Sequence, residues 1–410
     1  MKVCILCEYF YPDMLGGAGT IVSNLSRELQ DQFDDVTIHA ITSKNFLRGK
    51  SDKPLPSKEN WNGIIIHRLN APPTKRDSGL TRLILGLLFT LMATIKLLQN
   101  PRYDVIIATT NPPMISLAGQ LLRLFKRTPY VYLVHDLYAE MAVALGLISP
   151  DSKAMRVSQK LQSSFLRKSS TVIALGRCMK QHLDTTFALP PQLVQVIPNW
   201  GTLGSVIKQE ESAFRKAQGL QNQFVVLYAG NFGQFHNFDN IIDAARSISL
   251  NRKDISFVMV GGGAKKPEVE LRITAEKIDN VKLLGFVPHE ELADMLASAN
   301  VSLITLERGT EGLAVPCKFY NILASGRASI AIMDNKAETA RVIEEENCGI
   351  CVPQDDSQAL VDALISLADD PERVQQMGEN ARRSFELHYT LSVIAARFYH
   401  VLTQIASKRS

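Results

Sequence analysis

Two patterns of apolar and polar positions alternate along the chain: short unbroken aliphatic runs, and longer stretches in which apolar residues return every three or four positions. VCIL (3–6), VTIHAIT (36–42), IIIH (64–67), DVIIATT (104–110), YVYLVHD (130–136), TVIAL (171–175) and VQVIP (194–198) read as strands. Helical spacing marks Thr20–Leu29, Leu83–Leu98, Ile115–Phe125, a stretch around 153–168 and Arg177–Leu183. The alternation restarts at FVVLYAG (224–230) and runs through a helix Asn240–Ser247, then SFVMVGGG (256–263), VKLLGFV (281–287), VSLITL (301–306), SIAIM (329–333) and GICVP (349–353). Short strands separated by helices predict βαβ units and a parallel sheet in each half. The expected fold class is therefore α/β: two Rossmann-like parallel-sheet domains facing across a cleft, with ligands held at the carboxyl ends of the strands. The expected domains are 1–198 and 224–388, joined by a polar, aperiodic linker at 199–223. A tail at 389–410 carries a last helix with Val393, Ile394, Phe398, Val401, Leu402 and Ile405 on one face, able to pack back on the first domain.

Composition narrows the class. The 410 residues are 46% hydrophobic and 21% charged, values of a globular chain that can bury sizeable cores. The net charge of +4 hides an asymmetry: Lys and Arg exceed Asp and Glu in the first 200 residues, and the reverse holds afterwards. A basic first half suits an anionic partner such as a phosphorylated lipid or an acidic membrane surface, although uneven surface charge without consequence weighs equally. No dense Lys/Arg run with interleaved aromatics occurs, so nucleic acid is not an expected partner. The six cysteines include two C-x-x-C pairs, Cys4/Cys7 and Cys348/Cys351. Both pairs lie in extended stretches, where an odd separation turns side chains to opposite faces, so no metal site is expected. Buried free thiols of a reducing cytosol are the expectation instead. Met1-Lys2 leads straight into an apolar strand, which does not read as a signal peptide. Cytoplasmic location follows, with peripheral contact at the inner face of the plasma membrane if the basic half meets anionic lipid. The run Leu83–Leu98, about 16 residues with Lys96 inside it, is short of the roughly 20 needed to cross a bilayer. It reads first as a buried core helix, and alternatively as a helix on the membrane surface flanked by Lys75, Arg76, Arg82 and Arg102.

Three places carry candidate chemistry. The loop DMLGGAGT (13–20) follows the first strand and opens a helix. Gly16, Gly17 and Gly19 allow close backbone approach, and the helix start offers amides to an anion. A G-x-G-x-x-G fingerprint is absent and HAITS ends without an acid, which argues against a dinucleotide. His135-Asp136 stands at the end of a predicted strand, a position that favours function over structure. In EGLAVPCKFYNILASGR (311–327), amides around Cys317 and Lys318, the helix dipole and the Lys318 ammonium together suit a diphosphate. The bland alternative there is a solvated lysine on a first helical turn.

In these features the chain resembles a family 4 glycosyltransferase of the GT-B type. It looks most like the branch of bacterial exopolysaccharide and lipopolysaccharide assembly. EYFYPDMLGGAGT, VHDLYAEMAVALGLI, VIPNW, LYAGNFGQFHNF, VGGGAKK, LGFVPHEEL and EGLAVPCKFYNILASGRASI occur in family order across essentially the whole length. The resemblance implies retaining transfer from a nucleotide sugar to a lipid-linked or polysaccharide acceptor, with no metal or other cofactor. The lack of a D-x-D agrees with this. It implies that Gly16 and Gly17 approach the donor phosphate or the acceptor, and that His135 meets the transferred sugar or the acceptor hydroxyl. Glu311, with amides near Leu313 and Ala314, would hold sugar hydroxyls, and the loops at Gly262 and Val287 the base. The sequence departs from the family where Arg and Lys commonly neutralise the diphosphate: Asn231 and Asn237 stand there, with His236 nearby. His236 could replace them only when protonated, which leaves Lys318 as the main cation. Asn321 falls where a ribose-binding glutamate is usual. Two alternatives stay open: a nucleotide-sugar epimerase of similar fold, and a non-catalytic nucleotide-sugar-binding subunit, the latter motivated by the missing Arg/Lys pair.

Overall fold

The unbroken aliphatic runs become inner strands because both of their faces are covered: Val3, Cys4, Ile5 and Leu6 are all buried, as are Val105, Ile106, Ile107 and Ala108 beside them. The computed structural model describes residues 1–13, 17–46, 54–72, 79–100 and 102–408. Two units emerge. The first comprises Met1–Val143, Ile148–Pro198 and Leu391–Ser410; the second comprises Ala144–Leu147 and Asn199–Thr390.

In the first unit the strands are β1 (Lys2–Leu6), β2 (Thr37–Ser43), β3 (Lys58–Trp61), β4 (Ile64–Leu69), β5 (Val105–Thr109), β6 (Tyr130–Val134), β7 (Thr171–Ala174) and β8 (Val194–Val196). Their order is β3-β4-β2-β1-β5-β6-β7-β8, parallel except where β3 meets β4. The order reverses about β1, which places a switch point at its carboxyl end, where helix α1 (Ala18–Gln32) begins. The second unit has β9 (Phe224–Asn231), β10 (Ile255–Gly262), β11 (Val281–Leu284), β12 (Val301–Thr305), β13 (Ala328–Ile332) and β14 (Gly349–Val352). All are parallel, in the order β11-β10-β9-β12-β13-β14, and the switch falls where β10 and β12 flank β9.

Several elements differ from the hydrophobic pattern. Strand β3 has no apolar run, yet the turn after it is legible in chemical terms: Asn62 (φ 49°) and Gly63 (φ 87°) form a tight two-residue hairpin of the Asn-Gly kind. Its Trp61 stacks on Tyr11 at 4.2 Å, and Arg68 of β4 donates to the Tyr11 carbonyl at 2.8 Å, fixing the segment that leads into the first glycine loop. Residues 199–223 are not a free linker. The buried Arg215 guanidinium donates to the carbonyls of Ser298 (2.6 Å) and Gln223 (2.6 Å), and Asp294 accepts from the Ala213 and Phe214 amides. Polar anchors of this kind leave no hydrophobic period to read.

Helix α2 (Gly79–Gln99) corrects the core-helix reading on one side only. Phe89, Ala93 and Leu97 are buried, whereas Ile84, Leu87, Leu88, Leu91, Ile95 and Leu98 stay exposed. It packs beside α3 (Ser116–Lys126), whose Lys126 ammonium donates to the Leu98 and Asn100 carbonyls at 2.7 Å each. The flanking Lys75 and Arg76 lie outside the described residues. Among the cysteines, burial pushes the Cys7 thiol up to about 11 and the Cys348 and Cys351 thiols up to about 12, so all three stay protonated at neutral pH.

The helix Leu391–Ser407 follows the second unit in sequence but belongs to the first. Ile394, Ala395, Phe398, Val401 and Leu402 are buried, and Tyr399 stacks on Phe33 at 3.8 Å. Phe398→Ala is expected to lower the stability of the first unit by about 3–5 kcal/mol, through lost burial and the cavity left behind. The urea midpoint of that unit's transition checks it, and an unchanged midpoint would mean the helix is not part of the fold's core.

Candidate functional site

In the second unit the site is built from the carboxyl ends of β9, β10 and β12. Strands β9 and β10 pair to their last residues, Gly230 opposite Gly261 and Asn231 opposite Gly262. Gly261 has φ 143°, and a Cβ there would lie 1.8 Å from the Gly230 carbonyl oxygen. No other residue fits that approach. Beyond the strands, the 231–238 loop is held from both sides. The Phe232 amide donates to the Gly262 carbonyl and the Lys265 amide to the Phe232 carbonyl (both 2.9 Å), while Thr305 Oγ1 donates to the Asn237 carbonyl (2.9 Å).

Lys318 opens a helix, Lys318–Ala324, and reaches back to this edge. Its Nζ donates to the Tyr228 hydroxyl at 2.9 Å and sits 4.0 Å from the centre of the same ring. The hydroxyl passes its own hydrogen to the Asn231 carbonyl at 2.7 Å. Gly230 leaves the space the ammonium occupies; a Cβ there would lie 3.1 Å from Nζ. Among the described residues no carboxylate comes within ion-pair distance of Lys318, and burial pulls its pKa down to about 7. A ring face and a hydroxyl stabilise the cation only in part. An anion brought here would be favoured by whatever desolvation the ammonium has already suffered.

The helix itself is seven residues long, so the dipole assistance expected at Cys317 and Lys318 is small. Cys317 is exposed at its start. Glu311 is half-buried, and its Oε1 accepts from Gln354 at 3.1 Å, an arrangement that orients the carboxylate and leaves it further acceptor capacity. The Leu313 amide is already spent on the Thr310 carbonyl at 3.1 Å, which removes it as a donor to a sugar. Among the described residues no carbonyl accepts from the Ala314 amide. Asn321 is turned away from a ribose-binding role, since its Oδ1 accepts from the Thr202 amide (2.7 Å) and hydroxyl (3.3 Å). Val287 is half-buried next to Phe286, whose exposed ring lies against Gly262; a Cβ at Gly262 would meet it at 3.0 Å. That flat apolar surface beside the glycine loop fits a planar base.

His236, which could replace the missing basic pair only when protonated, is held neutral. Burial, followed by the charges of Lys318 and Lys265, holds its pKa well below the ordinary value, so it is a neutral imidazole with Nδ1 unpartnered. Asn231 and Asn237 are placed in the same loop, with Asn237 Nδ2 3.5 Å from Glu307 Oε2. The residue that sequence reasoning missed is Lys265. Its Nζ donates to the His236 carbonyl at 2.9 Å and to Glu307 Oε1 at 2.6 Å, which brings a second ammonium to the loop that lacks the family's basic pair. GGGAKK carried the signal, but nothing in its spacing says that the first lysine turns toward the 231–238 loop. The second, Lys266, donates to the Gly261 and Leu284 carbonyls and ties β10 to β11.

In the first unit, Gly17 (φ 79°) precedes α1, whose start has no side-chain cap. Gly16 lies outside the described residues. His135 is buried at the end of β6 with Nε2 unpartnered, and burial pulls its pKa down to about 4. Neighbouring Asp136 is pushed up to about 6 by burial, against the lowering effect of a hydrogen bond from Tyr138. The His135 and Asp136 amides both approach Thr110 Oγ1, at 3.3 and 3.4 Å, which pins the strand end. A neutral imidazole with an open nitrogen suits a hydroxyl rather than a phosphate.

Comparison with known proteins identifies the family. The family described as "Glycosyl transferase 4-like domain" matches residues 16–200, and "Glycosyl transferases group 1" matches residues 210–384. A probable glycosyltransferase, WbjE, of Pseudomonas aeruginosa is 30% identical over 292 residues, covering 70% of this chain and 72% of that one. A putative colanic acid biosynthesis glycosyl transferase, WcaI, of Escherichia coli K12 is 23% identical, over 56% of this chain and 57% of that one. The Anabaena protein HepE, solved in complex with UDP, superposes with a TM-score of 0.69 at 17% identity, covering 98% of this chain and all of that one. The two parallel sheets, the order of the motifs and these matches together place the chain in the family 4 glycosyltransferases of GT-B fold: it is a glycosyltransferase.

Proposed function

We propose that the protein moves a hexosyl group from a nucleotide sugar, held by the second unit, to a lipid-linked or polysaccharide acceptor in cell-envelope or exopolysaccharide synthesis. In this reading the transfer retains anomeric configuration, needs no metal, and takes place in the cytoplasm. The observation that carries it is Lys318, an ammonium at the carboxyl end of β9 with no carboxylate partner among the described residues. The bond broken joins the anomeric carbon to the β-phosphate oxygen, and the bond formed joins that carbon to an acceptor oxygen, whose proton leaves with the displaced phosphate. Negative charge grows on the departing diphosphate, and groups already oriented toward it lower the barrier without reorganising. Lys318 and Lys265 supply that charge, Glu311 accepts from sugar hydroxyls, and Phe286 with Gly262 and Val287 seats the base. The WcaI likeness supports a glycan acceptor, and the HepE complex makes UDP the first nucleotide to try.

The test is binding followed by turnover. Thermal shift against UDP, GDP, ADP and CDP should single out one nucleotide, since saturating ligand raises stability by mass action. Incubation of its sugars with polyprenyl-diphosphate sugars should then yield a retained glycoside in the presence of EDTA. Product from donor alone would mean an epimerase, and binding without turnover a non-catalytic subunit. Inversion, or loss of activity in EDTA, would overturn the retaining or metal-free part.

Lys318→Ala is expected to lower kcat by about 10²–10³, the cost of one transition-state donor. Lys265→Ala, which removes a weaker and ion-paired cation, should cost about tenfold in nucleotide affinity, on the order of one charge-assisted hydrogen bond. An unchanged dissociation constant would remove Lys265 from the site. The pH dependence has a definite sign. The protonated lysine binds the anion, its free pKa is about 7, and bound phosphate raises it. Affinity should therefore be full below pH 7 and fall as pH rises through 7 toward 9. Calorimetry on wild type and Lys318→Met separates this from titration of the nucleotide itself, because the methionine variant keeps only the latter.

A further inference from the structure

At the amino ends of β6, β7 and β8 the first unit opens a cavity of about 640 Å³. That volume lies within the range of cavities that hold small organic ligands. Pro129 leads into β6, Ser170 and Thr171 into β7 and Leu193 into β8, while Gln404 and Ile405 come from the helix Leu391–Ser407. His135 stands at the other end of β6, about 20 Å of strand away from Pro129. A molecule held in the cavity is therefore remote from the cleft-edge histidine.

Three cations border the cavity: Arg123, Arg127 and Lys408. Basic residues commonly gather where helices end, because their donors satisfy the last carbonyls. Several neighbours are used in that way. Lys126 donates to the Leu98 and Asn100 carbonyls, Arg167 to the Phe187 and Ala188 carbonyls, and Arg123 to the Lys168 carbonyl. Arg127 and Lys408 are not. Among the described residues neither side chain has a hydrogen bond or an ion pair, and no Asp or Glu lines the cavity. Arg127 is placed by its backbone, which closes α3 in the left-handed region at φ 53°. Two unengaged cations thus border an opening that holds no counter-charge, and their fields add there.

The rest of the lining selects the kind of anion. Ser170, Gln192 and Gln195 are also without side-chain hydrogen bonds among the described residues. Serine and glutamine each offer both a donor and an acceptor, the combination that sugar hydroxyls require. Pro190 and Leu193 add apolar surface suited to the C–H face of a sugar ring. A free phosphate would engage the cations and leave these groups to water. No aromatic side chain lines the cavity, so a nucleobase finds nothing to stack on.

We propose that this cavity is a non-catalytic binding site for an acidic oligosaccharide. Arg127 and Lys408 pair with uronate carboxylates, and Ser170, Gln192 and Gln195 bond to ring hydroxyls. The site is built wholly from the first unit and does not rest on the donor chemistry proposed for the second.

The experiment is calorimetric titration of the full chain, without nucleotide sugar, so that its outcome is separate from turnover. The probes are trigalacturonate, the neutral trisaccharide maltotriose, and triglutamate, a peptide of the same net charge as the uronate. Trigalacturonate is expected to bind at least about tenfold more tightly than either control, and more weakly as salt rises. The double variant Arg127→Gln/Lys408→Gln should weaken it by at least about tenfold, the cost of losing charge-assisted hydrogen bonds. The variant should keep the wild-type circular dichroism and melting temperature, because both side chains are exposed. Absence of trigalacturonate binding at millimolar concentration, or equal binding by the variant, overturns the proposal. Triglutamate bound as tightly as the uronate would reduce the site to an unselective basic patch and overturn it as well. Maltotriose bound as tightly would remove the cations from recognition, with the same consequence.

Discussion

The donor site proposed in the second unit depends on where one ammonium is allowed to sit. A side chain at residue 230, where φ is 145°, would crowd the Lys318 ammonium at 3.1 Å, and the Tyr228 ring and hydroxyl hold that ammonium at the end of β9. The hydroxyl in turn is oriented by the Asn231 carbonyl. Three residues of one strand therefore hold a lysine contributed by a helix almost ninety positions later, and hold it partly out of water. A lysine so placed is a poorer base and a better anion partner than one on an open surface, because desolvation raises the free energy of the charged form until a counter-ion arrives.

In the proposed function the same edge makes up for the usual pair of basic residues after β9. Asn231 and Asn237 cannot neutralise phosphate, and His236 between them is kept neutral by burial and by two nearby ammoniums. Lys265 enters from the next loop along the sheet and is tethered by Glu307 and the His236 carbonyl. A second ammonium therefore borders this loop, supplied by residue 265 rather than by residue 231 or 237. The Glu307 tether also tempers it, so that Lys265 is a weaker contributor than Lys318. The first unit offers a different kind of group: His135 is uncharged and has an open ring nitrogen, which suits hydroxyl recognition.

Helix α2 shows why apolar content alone misleads. A run of aliphatic residues is compatible with burial on all sides, and the periodicity of a helix that is apolar all round cannot say which face is covered. Packing against the sheet uses Phe89, Ala93 and Leu97 and leaves the opposite side bare.

The linear pattern determined the parallel strands and the division into two sheets, because an inner strand must be apolar on both faces and such runs are unmistakable. Gly262, the Glu311–Lys318 stretch and the order of the motifs were legible for a related reason: backbone approach and charge placement demand particular residue types. What the pattern could not supply was anything held by polar anchors or by contact between distant segments. The docking of 199–223 through Arg215, the spent amide of Leu313, the diversion of Asn321 to Thr202 and the turning of Lys265 toward a neighbouring loop all belong to tertiary structure. A side chain's type sets which partners it accepts; only the packed chain decides which partner is within reach.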